Sequence, residues 1–177
     1  MPGGTFLSGE RLALCTVTPS DYEFLREHGN HPEIRIGAPV PTPVSKQDIA
    51  AFVEDDPNSV QFLACQDGTP VGFVFLFDID YDRGHAEVGF WTVPDDQGNG
   101  YATEATALCL DHAFNDRGLH KVFARVFEHN DASMRVLESL GFRQEGCLRE
   151  QDYIRGEYRD TYLFGLLNDE WTDNRDS

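Results

Sequence analysis

Lysine is almost missing from this chain: Lys46 and Lys121 are the only two among 177 residues, against 12 arginines and 31 acidic residues, for a formal net charge of −17. With no basic stripe to displace condensed counterions, direct binding to nucleic acid is not expected. Long hydrophobic runs are missing too. None approaches the roughly 18–20 residues that span a bilayer, so no membrane partner is expected. The opening Met-Pro-Gly-Gly-Thr lacks the basic and apolar regions of a secretion signal. Cysteine is scarce and scattered. Cys15, Cys65, Cys109 and Cys147 each lie in an apolar stretch far from the others. That excludes a Cys-x-x-Cys site and predicts buried free thiols in a reducing cytoplasm. The histidines show no metal-ligand spacing, so no metal is expected, and His112 and His129 read as solvated positions.

What is present argues for a packed core. Apolar residues make up 40% of the chain and aromatics 12%, too many for a disordered segment. The length fits one domain over 1–177, with a core at about 8–171 and an acidic tail over 172–177. From Asp169 the chain is expected to fray, with Trp171 able to anchor its start. Monomer and homodimer both stay open. The acid-rich, lysine-poor surface resembles that of cytoplasmic proteins from salt-loving organisms. The rival reading is a negative field that steers cationic substrates.

Local signals set an element order of β-α-α-β-β-β-α-β-α-β-β. A first strand runs from Arg11 to Val17, and Thr18-Pro19-Ser20-Asp21 opens a helix ending near Gly29. Pro39 to Pro43 mark a loop before a capping box at Ser45 to Asp48. Val60–Cys65 and Val71–Phe77 form a hairpin around Asp67-Gly68, and a longer turn leads to a strand carrying Glu87. A helix covers about Gly100 to Asn115, with Ala102, Ala105, Cys109 and Ala113 as a small-residue face. A strand at Lys121–Phe127 precedes a helix from Asn130 to Leu140, capped by Gly141. Two strands close the chain, from Phe142 to Leu148 or Ile154 and from Tyr158 to Leu166. A meander followed by β-α-β predicts an α/β (α+β) fold. It would have one mixed, mostly antiparallel sheet of six to seven strands and helices on both faces.

The densest signal is Glu87-Val-Gly-Phe-Trp-Thr-Val-Pro-Asp-Asp-Gln-Gly-Asn-Gly-Tyr-Ala102. A strand, a glycine-rich turn and a helix start in succession converge backbone N–H groups on one point, an anion site. Gln97-Gly-Asn-Gly-Tyr-Ala102 resembles the Gln/Arg-x-x-Gly-x-Gly/Ala loop that holds the acyl-CoA pyrophosphate in the GCN5-related N-acetyltransferases (GNAT). Asn130-Asp-Ala-Ser-Met-Arg-Val-Leu-Glu-Ser-Leu-Gly-Phe142 is similar to the segment after the fifth strand in that family. The ending Tyr153 to Leu167, and more loosely Asn30-His-Pro-Glu-Ile34, resemble the RimJ/RimL branch.

The resemblance implies acetyl-CoA as cosubstrate and direct transfer of its acetyl group to a primary amine. It places the pantetheine arm against the backbone of Trp91 and Val93. The pyrophosphate falls on the amides of Gln97, Gly98, Asn99, Gly100, Tyr101 and Ala102. Glu87 then stands where some members carry a catalytic base, although a structural ion pair is equally open to it. His85 shares its face, or is a surface residue beside a turn. Ser133 is a candidate to bind or protonate the departing sulfur, because Leu137 occupies the place of a tyrosine acid in many relatives. A plain helix-start serine is the alternative. Asn130 is expected to cap its helix and to touch pantetheine. Asn30, His31, Tyr158 and Asp160, with Tyr162, are candidates for the acceptor end.

The acceptor implied is a protein N-terminal α-amine, whose unperturbed pKa of about 7.7–8.0 makes deprotonation less demanding than for lysine. A polyamine or amino-sugar is the alternative. From other classes, a non-catalytic acyl-CoA-binding regulator stays open. A dinucleotide binder fits poorly, since Thr103 stands at the third glycine position.

Overall fold

The structure, a computed structural model, describes residues 2–38 and 42–176. Its strands build one eight-stranded sheet in the order β1-β2-β3-β4-β5-β6-β8-β7. They are β1 (Thr5–Ser8), β2 (Ala13–Thr16), β3 (Val60–Gln66), β4 (Thr69–Asp80), β5 (His85–Thr92), β6 (Lys121–Phe127), β7 (Arg143–Ile154) and β8 (Glu157–Leu167). Every neighbouring pair is antiparallel except β5 and β6. The helices are α1 (Tyr22–Gly29), α2 (Pro32–Arg35), α3 (Lys46–Ala50), α4 (Tyr101–Asp111), α5 (Asp131–Ser139) and α6 (Asn168–Asp176).

Local chemistry fixes several joints. Asp67 and Gly68 both take positive φ, 48° and 79°, so the β3–β4 hairpin turns tightly with Gln66 opposite Thr69. Gly141 ends α5 at φ 91°, and the Phe142 amide reaches back to the Leu137 carbonyl. Ser45 and Asp48 bond reciprocally at the start of α3.

The core lies in two layers. On one face Leu14, Val74, Leu76, Ala86, Val122 and Leu166 are fully buried beneath α4 and α5, where Ala105 and Cys109, with Ala113 in the turn His112–Asp116 that continues α4, let the helix sit close to the sheet. On the other face Leu25 of α1 packs with Leu63, Cys65 and Phe73.

The sheet has one strand more than expected. β1 pairs with β2 through Leu7 and Leu14, and the first strand of the sequence reading shrinks to Ala13–Thr16. Pro32–Arg35, expected as loop, winds one helical turn capped by His31. The acidic tail is helical as far as Asp176 rather than frayed. Trp171 is buried, and its Nε1 donates to Asp111 at 2.9 Å. Part of the expected Pro39 to Pro43 loop, residues 39–41, lies outside the described residues, as does Ser177.

Cys147 is exposed, unlike the other three thiols. His112 is also corrected: it is buried, wedged against the rings of Phe6 and Phe62, with Nδ1 2.8 Å from Asp116. His129 is half-buried, with Nε2 bonded to the Ile36 carbonyl at 2.9 Å. No helix among the described residues is long and apolar enough to cross a membrane.

Candidate active site

The site begins where the sheet comes apart. β5 and β6 pair in parallel only through His85–Lys121, Ala86–Val122 and Glu87–Phe123. Beyond that point β5 stays with β4 as far as Thr92, and β6 stays with β8 as far as Phe127. The two strands therefore splay, and each leaves a row of backbone groups facing a wedge-shaped slot. Backbone groups in such a slot need a partner, and an extended ligand with amide groups supplies one.

The parity of β5 decides which residues face the slot. The Val93 amide donates to Val71 of β4 at 2.8 Å. In an antiparallel ladder this orientation repeats every second residue, so Trp91, opposite Phe73, also addresses β4. Phe90 and Thr92 are left to face the slot, and the Gln97 side-chain nitrogen Nε2 approaches the Thr92 carbonyl at 3.5 Å. The slot-facing pair is thus shifted by one residue from the expected Trp91 and Val93.

At the outer end of β5 the chain turns through Gly98 and Gly100, both at φ 78°, into α4, whose first turn begins at Tyr101. Residues with a side chain rarely adopt that conformation, and here it brings a glycine turn onto a helix N-terminus, an arrangement suited to an anion. Arg11, which the sequence reading did not single out, locks this loop. Its Nη1 donates to the Asn99 carbonyl at 2.7 Å, and its guanidinium lies 5.5 Å from the centre of the Tyr101 ring. Its Nε donates to Glu104 at 2.9 Å, and its backbone amide at 2.7 Å. Burial opposes ionisation of Glu104, but the amides of Arg11 and Leu12 and the guanidinium outweigh it and hold the carboxyl below its ordinary range. The signal that joins Arg11 to Glu104 is spatial, across 93 residues.

At the apex of the slot Glu87 is buried, 4% exposed, and engaged by Arg125. Arg125 Nε lies 3.0 and 3.1 Å from the two carboxylate oxygens and Nη2 lies 2.8 Å from Oε2. The carboxylate raises Arg125 further above its ordinary value. His85 sits edge-on to Phe123 at 5.8 Å, and its Nδ1 is buried without a hydrogen-bond partner among the described residues.

β6 leads at its outer end into α5, where Asn130 Oδ1 accepts the Ser133 amide at 3.1 Å and so caps the helix. Ser133 is half-buried, on the face that continues into fully buried Leu137. A roof crosses the slot above. His28 of α1 stacks near Trp91 of β5, with ring centroids 6.0 Å apart. Beyond α2 the carbonyls of Ile36 and Gly37 accept from His129 at 2.9 Å and Asn130 at 3.5 Å. Burial pushes the His28 imidazole below its ordinary value, so it stays neutral at pH 7.

The residues expected at the acceptor end are dispersed. Asn30 spends its side-chain amide on the Arg26 carbonyl at 2.7 Å and on Val44 at 2.8 Å in both directions, which ties α1 to the chain before α3. His31 caps α2, accepting the Glu33 amide at 3.3 Å. Asp160 accepts the Glu150 amide at 2.8 Å across the β7–β8 bulge. Tyr158 lies 66% exposed against Tyr153 near the hairpin tip. Asp160 and Tyr162 are half-buried. No cluster of potential metal ligands occurs among the described residues.

The chain is similar to known proteins in sequence and in fold. Residues 11–143 match the acetyltransferase (GNAT) domain family. An uncharacterised N-acetyltransferase of Bacillus licheniformis is 28% identical over 170 residues, covering 92% of this chain and 96% of that protein. The spermidine N(1)-acetyltransferase of Escherichia coli K12 is 33% identical over 104 residues, covering 59% of this chain and 56% of its own. The spermidine N-acetyltransferase of Vibrio cholerae, solved with CoA and spermine, superposes with a TM-score of 0.85. The two share 25% identity, over 93% of this chain and 99% of that one. Splayed strands, glycine loop and family match agree: the chain belongs to the GNAT family and is an acetyl-CoA-dependent N-acetyltransferase.

Proposed function

We propose that the chain acetylates a protein N-terminal α-amine within a ternary complex, in a branch akin to RimJ/RimL. The observation that carries the transfer reading is the β5–β6 slot, open from Glu87 outward and ending at the Gly98–Gly100 loop. The amides of residues 97–102 take the pyrophosphate, and the slot-facing groups of Phe90 and Thr92 pair with the pantetheine amides. The acyl carbon then lies toward the apex, beneath the roof of α1 and α2. The amine nitrogen forms its bond to that carbon, the carbon–sulfur bond breaks, and the amine proton passes to solvent.

In this reading Glu87 is a positioning residue. Both of its oxygens are occupied by Arg125, so it fixes a guanidinium at the apex where charge develops on the thioester oxygen. An α-amine that titrates near pH 7.7–8.0 is already partly neutral and needs no strong base. Ser133 Oγ, which makes no hydrogen bond among the described residues, donates to the departing sulfur, and Asn130 holds the helix start that presents it. Asn30 and His31 serve the site by fixing the roof, while Asp160 and Tyr158 shape the hairpin beside the acceptor entrance.

A second reading, a small polyamine acceptor, is favoured by the carboxylates beyond the apex. Asp78 and Asp152 both act on Arg125, and Glu128 and Asp160 both act on Cys147. Relatives divide the same way: besides the spermidine enzymes, a Bacillus subtilis protein provisionally named a ribosomal N-acetyltransferase is 30% identical over 116 residues. That match covers 66% of this chain and 63% of its own. A mass-spectrometric screen of acetyl-CoA with N-terminal peptides and polyamines decides between them. Acetylated peptide α-amines support the first reading, and product from spermidine alone overturns it.

A further inference from the structure

A chain with a formal charge of −17 repels a polyanionic nucleotide at long range, so its phosphate site needs a local source of positive potential. The loop does not carry one, since Gln97 occupies its first position. Arg11 approaches from the other side. Its Nη1 takes the Asn99 carbonyl, and a Cβ built on Gly100 would fall 3.2 Å from its Nη2. Nη2 itself makes no hydrogen bond among the described residues. Glu104 grips the opposite edge of the guanidinium and the Arg11 backbone, which fixes the orientation of a side chain otherwise half exposed.

Two consequences follow for an anion at the loop. A carbonyl left free at the loop would repel phosphate, and Arg11 takes up that of Asn99. The Arg11–Glu104 pair is nearly neutral as a whole, yet it is the guanidinium, through Nη1 and Nη2, that lies beside Asn99 and Gly100. The pair therefore turns its positive end to the loop, a short-range effect that salt screens weakly.

We infer that Arg11 is a positioning residue for the phosphate loop, anchored by Glu104 and supplying from β2's approach the cation that Gln97 does not. The inference rests on the acetyl-CoA reading and is tested separately from it with two acetyl donors. Acetyl-CoA uses both the loop and the slot, whereas S-acetylpantetheine uses the slot alone. Arg11→Met should lower kcat/KM for acetyl-CoA by roughly tenfold, the loss of one charge-assisted contact, and change that for S-acetylpantetheine less than twofold. Arg11→Lys keeps charge without the fork, and its donor preference should fall between Met and wild type. It also carries the test if the Met variant does not fold. Equal losses with both donors, or an unchanged donor preference, would overturn the role of Arg11. A wild-type protein that uses neither donor would overturn the transferase reading itself.

Discussion

Gly100→Val probes the glycine loop proposed to hold the phosphate. Gly100 sits at φ 78° and ψ 9°, a conformation that costs a residue bearing Cβ about 1–2 kcal/mol, with a β-branched residue at the upper end. The new Cβ would also lie 3.2 Å from Arg11 Nη2, tight enough that the guanidinium must shift. Gly98 offers an internal control. It has the same φ of 78°, but nothing lies within 4 Å of its Cβ position, so Gly98→Ala carries backbone strain alone. Where the free loop relaxes out of its left-handed form, binding must restore it, and the strain appears as lost affinity. Where it cannot relax, the strain appears as lost stability. Titration calorimetry with acetyl-CoA and thermal unfolding of the same samples capture both. Gly100→Val should weaken binding by about 10- to 30-fold, the equivalent of roughly 1.4–2 kcal/mol, and Gly98→Ala by less. Wild-type affinity in both variants, with unchanged unfolding, would refute the placement of the phosphate at this loop.

Further expectations concern the apex, the sulfur and the surface. Glu87→Gln keeps one acceptor for Arg125, so kcat should fall less than about tenfold at every pH, since little more than one charge-assisted bond is weakened. A loss confined to low pH would instead make the carboxylate the proton acceptor. Ser133→Ala should lower kcat while leaving acetyl-CoA affinity within about twofold, and an unaltered kcat removes Ser133 from the reaction. The acid surface should make the melting temperature climb from dilute buffer to molar KCl, as the screening length shrinks from about 30 Å to about 3 Å. A flat melting temperature would point instead to steering of cationic acceptors.

Local rules carried the sequence reading a long way. Glycines with a conformational task, at 68, 98, 100 and 141, were legible because each stands beside a strand or helix end whose geometry demands it. The small face of α4 and the Asn130 cap were legible for the same reason. What escaped was set by distant partners. β1 has four residues at the sheet edge, and its stability comes from pairing with β2 rather than from its own composition. α6 has no apolar stripe; it is held by Trp171 on Asp111 and by Glu170, which accepts the Leu167 amide and pairs with Arg143. The one-residue offset between Trp91–Val93 and Phe90–Thr92 depends on strand register, which no spacing along β5 reveals. Base and ion pair both stayed open for Glu87 because its partner Arg125 lies 38 residues away, and Arg11 looked ordinary because Glu104 lies 93 away.

The protein transfers an acetyl group rather than merely binding its carrier. Release of free CoA thiol from acetyl-CoA, followed continuously while primary amines are added, tests that claim most directly. Release should depend on the amine, saturate with it, and be stoichiometric with N-acetylated product by mass spectrometry. Saturable binding of acetyl-CoA with no thiol released by any peptide or polyamine would contradict it and leave an acyl-CoA-binding regulator in its place.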